Sequence, residues 1–232
     1  MLLLQKIMLK KFSHSWVDLP KLKQINTDEG RRYAINEEVK YPSITTVLGK
    51  TKDLRALKEW RKRVGEEHAN KVTKAATTRG TSMHKLCENY LLNETLDDLG
   101  STSGELLFRG IRPFLDRIDN VRALESGLFS NKLHVAGTVD CVADYDGELT
   151  IIDFKTAKSP KRESYIHDYY MQGAFYFTSF YELTGMLPKQ ILVLISVQDG
   201  SVQEWFVKGK DIIHWTEQLK ERIKKYESSQ AN

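Results

Sequence analysis

The sequence predicts an α/β fold: a central mixed β-sheet flanked by helices, with a basic helical elaboration on its N-terminal side. Three observations carry this. Apolar runs bounded by turn residues mark five candidate strands after residue 120. Stretches of helical period lie before, between and after those strands, which is the order of a sheet with helices packed on it. Charge is also uneven: the 232 residues carry a net +4, yet residues 49–80 hold ten basic side chains against four acids. With 41% apolar residues the chain can build a sizeable core.

The elements follow in order. Residues 1–45 read as irregular or strand-like, punctuated at Asp28-Glu29-Gly30 and Tyr41-Pro42-Ser43, with Ser43 able to open a helix. Residues 54–76 are helical and strongly basic, interrupted at Gly65. A further helix is predicted over 81–92, beginning after Gly80, and another over 104–118 with a kink at Pro113. Strands are predicted over 121–130, 132–145 and 148–156, the last two joined by Asp146-Gly147, a strong signal for a two-residue hairpin. A helix over 165–183 ends at Gly185 in the C-cap position. Strands over 190–198 and 201–207 flank a second Asp-Gly, and an amphipathic helix over 211–226 closes the pattern. The expected division is an N-terminal segment with the basic helical elaboration (1–80) and a core (81–232), forming one structural domain.

Composition removes several classes. Two cysteines, Cys87 and Cys141, stand far apart without a CxxC neighbour, which excludes a disulfide scaffold, a zinc ribbon and a four-cysteine iron–sulfur cluster. Both are expected to be small buried apolar residues. No apolar run approaches a membrane span, and no P-loop pattern occurs. The basic, acid-free start (Lys6, Lys10, Lys11) faintly resembles a transit segment but is short and lacks arginine. The expected location is therefore the cytoplasm, of a host if the source is a phage, rather than the mitochondrion.

The candidate chemistry comes from the first hairpin. If Asp146 and Gly147 are its loop, Tyr145 faces Glu148, and the register carried back sets Asp140 opposite Asp153. Lys155, two residues on, shares their face. Two acids and an amine among Val139, Val142, Ile151, Ile152 and Phe154 are costly unless a cation binds there. A hard divalent ion, Mg²⁺ or Mn²⁺, suits oxygen ligands. A lone Asp–Lys pair on a surface hairpin would be ordinary; two facing aspartates are not. His84 and Glu88 share a helical face, and His84 reads equally as a metal ligand or as a surface histidine. Glu125 reads as a further ligand or as half of a surface salt bridge. Gln172 and Tyr176, also four apart, fit a site or an ordinary core helix. The basic stretch taken alone is equally a solvated helix face.

Gly137-Thr138-Val139-Asp140 followed by Ile152-Asp153-Phe154-Lys155-Thr156 resembles the signature of RecB-type nucleases of the PD-(D/E)XK superfamily. Gly80-Thr81-Ser82-Met83-His84 resembles that family's Gly-x-x-x-His motif, and Gln172-Gly173-Ala174-Phe175-Tyr176 its Gln-x-x-x-Tyr motif. The stretch Tyr41–Leu48 and the basic run through Trp60 are similar to the mitochondrial genome maintenance exonucleases and their phage relatives. The resemblance implies a restriction-endonuclease-like core and a Mg²⁺- or Mn²⁺-dependent DNA exonuclease, using one or two ions and no iron–sulfur cluster, that prefers single-stranded DNA with free ends. It implies His84, Asp140, Asp153 and the backbone carbonyl of Phe154 as metal ligands, with Glu125 less securely placed. Lys155 would activate water or stabilise charge, while Gln172 and Tyr176 would support the site or touch DNA.

The DNA contacts expected on the basic helices and near the strand ends are Arg61, Lys62, Arg63, Arg79 and Lys158. Trp60 or Tyr90 are the candidates for base stacking. Replication or recombination proteins are the expected partners, and a membrane is not. The competing readings are a structure-specific DNA endonuclease, a non-catalytic DNA-binding accessory module, and a small-molecule metallohydrolase.

Overall fold

A computed structural model describes residues 10–96 and 101–230. Its centre is a five-stranded mixed sheet in the order β4-β5-β6-β7-β8, made of Ile118–Ser130, Val135–Tyr145, Glu148–Ala157, Gln190–Val197 and Val202–Lys208. All neighbours are antiparallel except β6 and β7, which run parallel. Parallel neighbours need a crossover, and α5 (His167–Thr184) supplies it. A smaller antiparallel sheet, β1 (Lys23–Thr27), β2 (Gly30–Ala34) and β3 (Lys40–Pro42), occupies the stretch expected to be irregular or strand-like. It leads into α1 (Ile44–Thr51), whose N-cap is Ser43, accepting a hydrogen bond from the Thr46 amide at 3.0 Å.

Alternation along the central strands sends side chains into two cores. Ile151, Val193 and Ile195 pack with α5, α1 and α6 (Lys210–Gln230). Ile152, Phe154, Leu192 and Leu194 pack with α3 (Glu66–Leu91) and α4 (Thr102–Leu115). Both faces of β6 and β7 are therefore covered, which is why their sequences run almost continuously apolar. Cys87 and Cys141 are buried free thiols in the second core. No helix among the described residues is long and apolar enough to cross a membrane.

Several expectations are corrected. The helix placed over 81–92 does not begin after Gly80; α3 runs unbroken from Glu66 to Leu91. A mid-helix glycine costs about 1 kcal/mol, and here tertiary packing outweighs it, because α3 lies against α4 and the end of β6. Gly65 does break the basic helix, separating α3 from α2 (Arg55–Val64). Pro113 is accommodated inside α4, which ends at Leu115 rather than at residue 118. β5 begins at Val135, not 132, because residues 131–134 form a turn. The second Asp-Gly belongs to a three-residue loop, since Ser196 faces Val202 and Val197 pairs with Ser201. Tyr90 is unavailable for base stacking: it is 3% exposed, wedged edge-on against Phe12 and Phe108, and its hydroxyl donates to Asp116 at 2.5 Å.

Candidate metal centre

The first Asp-Gly hairpin has the predicted register. Asp146 and Gly147 both adopt positive φ, 51° and 82°, and Tyr145 faces Glu148, the geometry whose twist suits a two-residue hairpin. That register persists back to the pair Cys141–Ile152, where the ladder stops. Asp140 and Asp153 are the next positions in that register, one step beyond the last ladder pair. The Asp140 carboxylate accepts the Phe154 amide at 2.7 Å.

On its other side Asp140 meets β4. Leu124 faces Cys141 and Ser126 faces Val139, which leaves Glu125 beside Asp140. Glu125 holds φ at 43°, a left-handed conformation unusual for a side chain of its size and costly unless its surroundings impose it. His84 enters from α3. Its Nδ1 lies 3.8 Å from Asp140 and 3.9 Å from Glu125, and its ring stands edge-on to Phe154 at 6.2 Å. Burial pulls the His84 imidazole down, but Asp140 and Glu125 outweigh it and its pKa is raised. One ligand atom from each of His84, Glu125 and Asp140 can be chosen so that all lie within 4.8 Å of one another.

Asp153 is 1% exposed and pairs with Lys155, whose ammonium sits 2.5 Å from each carboxylate oxygen. The hydrogen bond goes to Oδ1, while the buried Oδ2 meets the same ammonium as an ion pair. Burial pushes the Asp153 carboxyl up to about 6, with Lys155 opposing and Asp140 adding to the rise. Burial pulls Lys155 down, but Asp153 and Asp140 raise it more, so it keeps its charge. The ammonium also lies 5.3 Å from the Tyr169 ring centroid on α5.

The donor set therefore fits a hard divalent cation. His84, Glu125 and Asp140 converge, and two carboxylates held this close together are costly unless a cation meets them.

Gln172 and Tyr176 line the same cleft of about 240 Å³ as His84, Glu125, Asp140 and Lys155. Tyr176 donates to the Thr138 carbonyl at 2.6 Å and accepts from Gln172 at 3.2 Å. This latch holds β5 two residues before Asp140. Gly137 permits the approach, since a Cβ there would lie 3.0 Å from both the Tyr176 ring and Ile44.

The expected DNA contacts are dispersed. Lys62 and Arg63 are exposed on α2, which buries no residue, and Trp60 is half-buried there. Arg61 is tied across the Gly65 corner to Glu66 and Asn70. Arg79 is half-buried on α3 with its Nε unpartnered among the described residues, and Lys158 is exposed just beyond β6. Sequence reasoning missed Arg31, Tyr33 and Thr45, which also line the cleft. The stretch from Tyr41 to Leu48 signalled the helix start, but nothing local marked Arg31.

A five-stranded mixed sheet flanked by helices, with this acidic cluster where β4, β5 and β6 meet α3, is compatible with a restriction-endonuclease-like nuclease fold. The similarity is more particular than the fold. Over 131 residues, 52% of this chain and 38% of the relative, the chain is 33% identical to mitochondrial genome maintenance exonuclease 1 of Homo sapiens. It is 32% identical over 138 residues to the Xenopus tropicalis protein of that name, covering 55% of this chain and 38% of the relative. The Mus musculus protein matches at 32% over 132 residues, 52% and 38% of the two chains. Each match thus spans well under half the relative's length. No protein-family model matches the chain.

Proposed function

We propose that the protein is a divalent-metal-dependent DNA exonuclease that hydrolyses phosphodiester bonds, preferring single strands with free ends. The observation that carries this reading is the convergence of His84, Glu125 and Asp140 beside the buried Asp153–Lys155 pair. Similarity to exonucleases supports the DNA substrate.

In this reading Asp140, Asp153 and His84, with Glu125 and the Phe154 carbonyl, would hold Mg²⁺ or Mn²⁺. When bound, such an ion supplies Lewis acidity and neutralises charge at the phosphoryl group. The chain's own groups do the rest. Lys155 keeps a fixed positive charge where negative charge develops on the phosphate oxygens, and its tie to Asp153 holds it in position. Asp140 keeps its orientation because the Phe154 amide anchors one carboxylate oxygen. Tyr176 and Gln172 set the height of β5. The exposed Lys62 and Arg63, with Lys158 nearer the strand ends, draw the strand in through its phosphates, and Trp60 offers a ring for stacking.

The test is digestion of single strands labelled at either end, with Mg²⁺, Mn²⁺ or EDTA, alongside circular single strands. Stepwise shortening of linear substrate that EDTA abolishes, with circles left intact, is the expected result. Cleavage of circles would turn the assignment to an endonuclease. No metal-dependent cleavage of any DNA would remove it.

A further inference from the structure

We propose that Arg31 grips a phosphate of the bound strand across the cleft from Lys155, acting as a substrate-positioning residue. This inference rests on the nuclease reading above. Arg31 lines the same cleft as His84, Asp140 and Lys155, although it lies more than fifty residues before them in the chain.

Its backbone is held unusually firmly. The Arg31 amide donates to Thr46 Oγ1 at 3.1 Å, and its carbonyl accepts from Thr46 Oγ1 at 3.2 Å and from the Ser43 amide at 2.8 Å. Gly30 lets the two elements close, because a Cβ there would lie 2.6 Å from Thr46 Cγ2. Ser43 in turn bridges to Ala136 at the start of β5. The position of Arg31 is thereby referenced to the strand that carries Asp140.

The side chain is treated in the opposite way. It is exposed, and among the described residues its guanidinium makes no hydrogen bond or ion pair. Its neighbour Arg32 points elsewhere, donating to the Lys40 carbonyl at 3.1 Å and pairing with Glu29 at 3.6 Å. An arginine on a rigid mount, free of carboxylate partners and opening onto a cleft built for a phosphoryl group, has the planar fork that takes phosphate oxygens in pairs. Lys155 could not serve this end of the cleft, because Asp153 holds it.

The experiment compares wild type with Arg31→Ala, Arg31→Lys and the control Arg32→Ala. Binding of a labelled single strand is titrated against salt in EDTA, and cleavage is followed in Mg²⁺. Arg31→Ala is expected to weaken binding roughly ten-fold or more and to reduce the log–log salt slope by about 0.7, the share of one phosphate on a single strand. The loss should appear in KM more than in kcat. Arg31→Lys should restore part of it, and Arg32→Ala should leave the slope unchanged.

Methylphosphonate placed at successive positions should penalise wild type at one position, and that penalty should vanish in Arg31→Ala. A terminal phosphate is the contact if removing it, rather than any internal charge, reproduces the loss. Equal affinity and slope in wild type and Arg31→Ala, or an unchanged methylphosphonate profile, overturns the proposal. Because the binding arm needs no catalysis, it stands apart from the nuclease reading, which fails separately if wild type binds but never cuts.

Discussion

The strands β4, β5 and β6 carry acids near the hairpin and again at mid-length, and the two places supply them with cations very differently. At the hairpin end, Asp144 receives Arg122 at 2.6 Å and Asn120 at 2.9 Å. Arg117 reaches Glu204 at 2.7 Å and Asp146 at 3.0 Å, and Tyr145 donates to Glu204 at 2.8 Å. At mid-length Glu125, Asp140 and Asp153 share only His84 and Lys155 among the described residues. The first arrangement is complete as it stands. The second leaves room for a charge that the chain does not provide. Acids matched to dedicated arginines hold the fold together; acids left short of cations are those that the proposed metal would join.

The sharpest way to test this contrast is Asp140→Asn, which keeps an acceptor for the Phe154 amide but removes a charge. Single-turnover cleavage should fall on the order of 10³-fold while strand binding persists; near-normal turnover would erase the distinction between the two places. Next in size are two substitutions that each strip a cation from an acid. Arg122→Met should cost about 2 kcal/mol, below the roughly 3–5 kcal/mol of a fully buried pair, and Mg²⁺ should not recover it. Lys155→Met should cost a similar amount in EDTA, with Mg²⁺ returning part. Urea unfolding with and without the metal separates these outcomes, and equal metal responses would contradict the contrast.

A smaller effect is expected from the ion itself. Mg²⁺ at ten times its Kd should stabilise wild type by about 1.4 kcal/mol, and this gain should shrink in Glu125→Gln but not in Asp144→Asn. Calorimetric Tm measurements would show it; an equal shift in both variants would mean the cation binds elsewhere. The smallest effect belongs to the exposed Asp146. The Arg117 guanidinium holds its carboxyl below the usual range. Its contribution is therefore complete above the unfolded carboxylate pKa and is lost as pH falls through the lower folded value. Solvent screening limits it to a few tenths of a kcal/mol. Asp146→Asn should flatten stability against pH only in that acid window, and a change near neutrality would point to another group.

Local chemistry made much of this molecule legible. Asp146-Gly147 prescribes a turn whose register runs unbroken to Cys141–Ile152, because side-chain period and turn geometry together admit one alignment. Gly185 ends α5 where a C-cap glycine should, its amide bonding the Tyr181 carbonyl. Gly80 misled, since its cost in a helix is small beside the packing of α3 on α4. Tyr90 misled too, because an aromatic near basic residues reads as a stacking platform until the core claims it.

Residue types and spacing by themselves determined the strands, the main hairpin and the short list of acids, histidine and lysine that could hold a cation. Tertiary structure alone decided that the ladder stops one step before Asp140 and Asp153, that Glu125 flanks Asp140 in a left-handed conformation, and that Arg31 shares their cleft. The physical reason is range. Turn and strand preferences act over a few residues, whereas these placements depend on where separate segments meet, and that is set by the packing of two cores against one sheet.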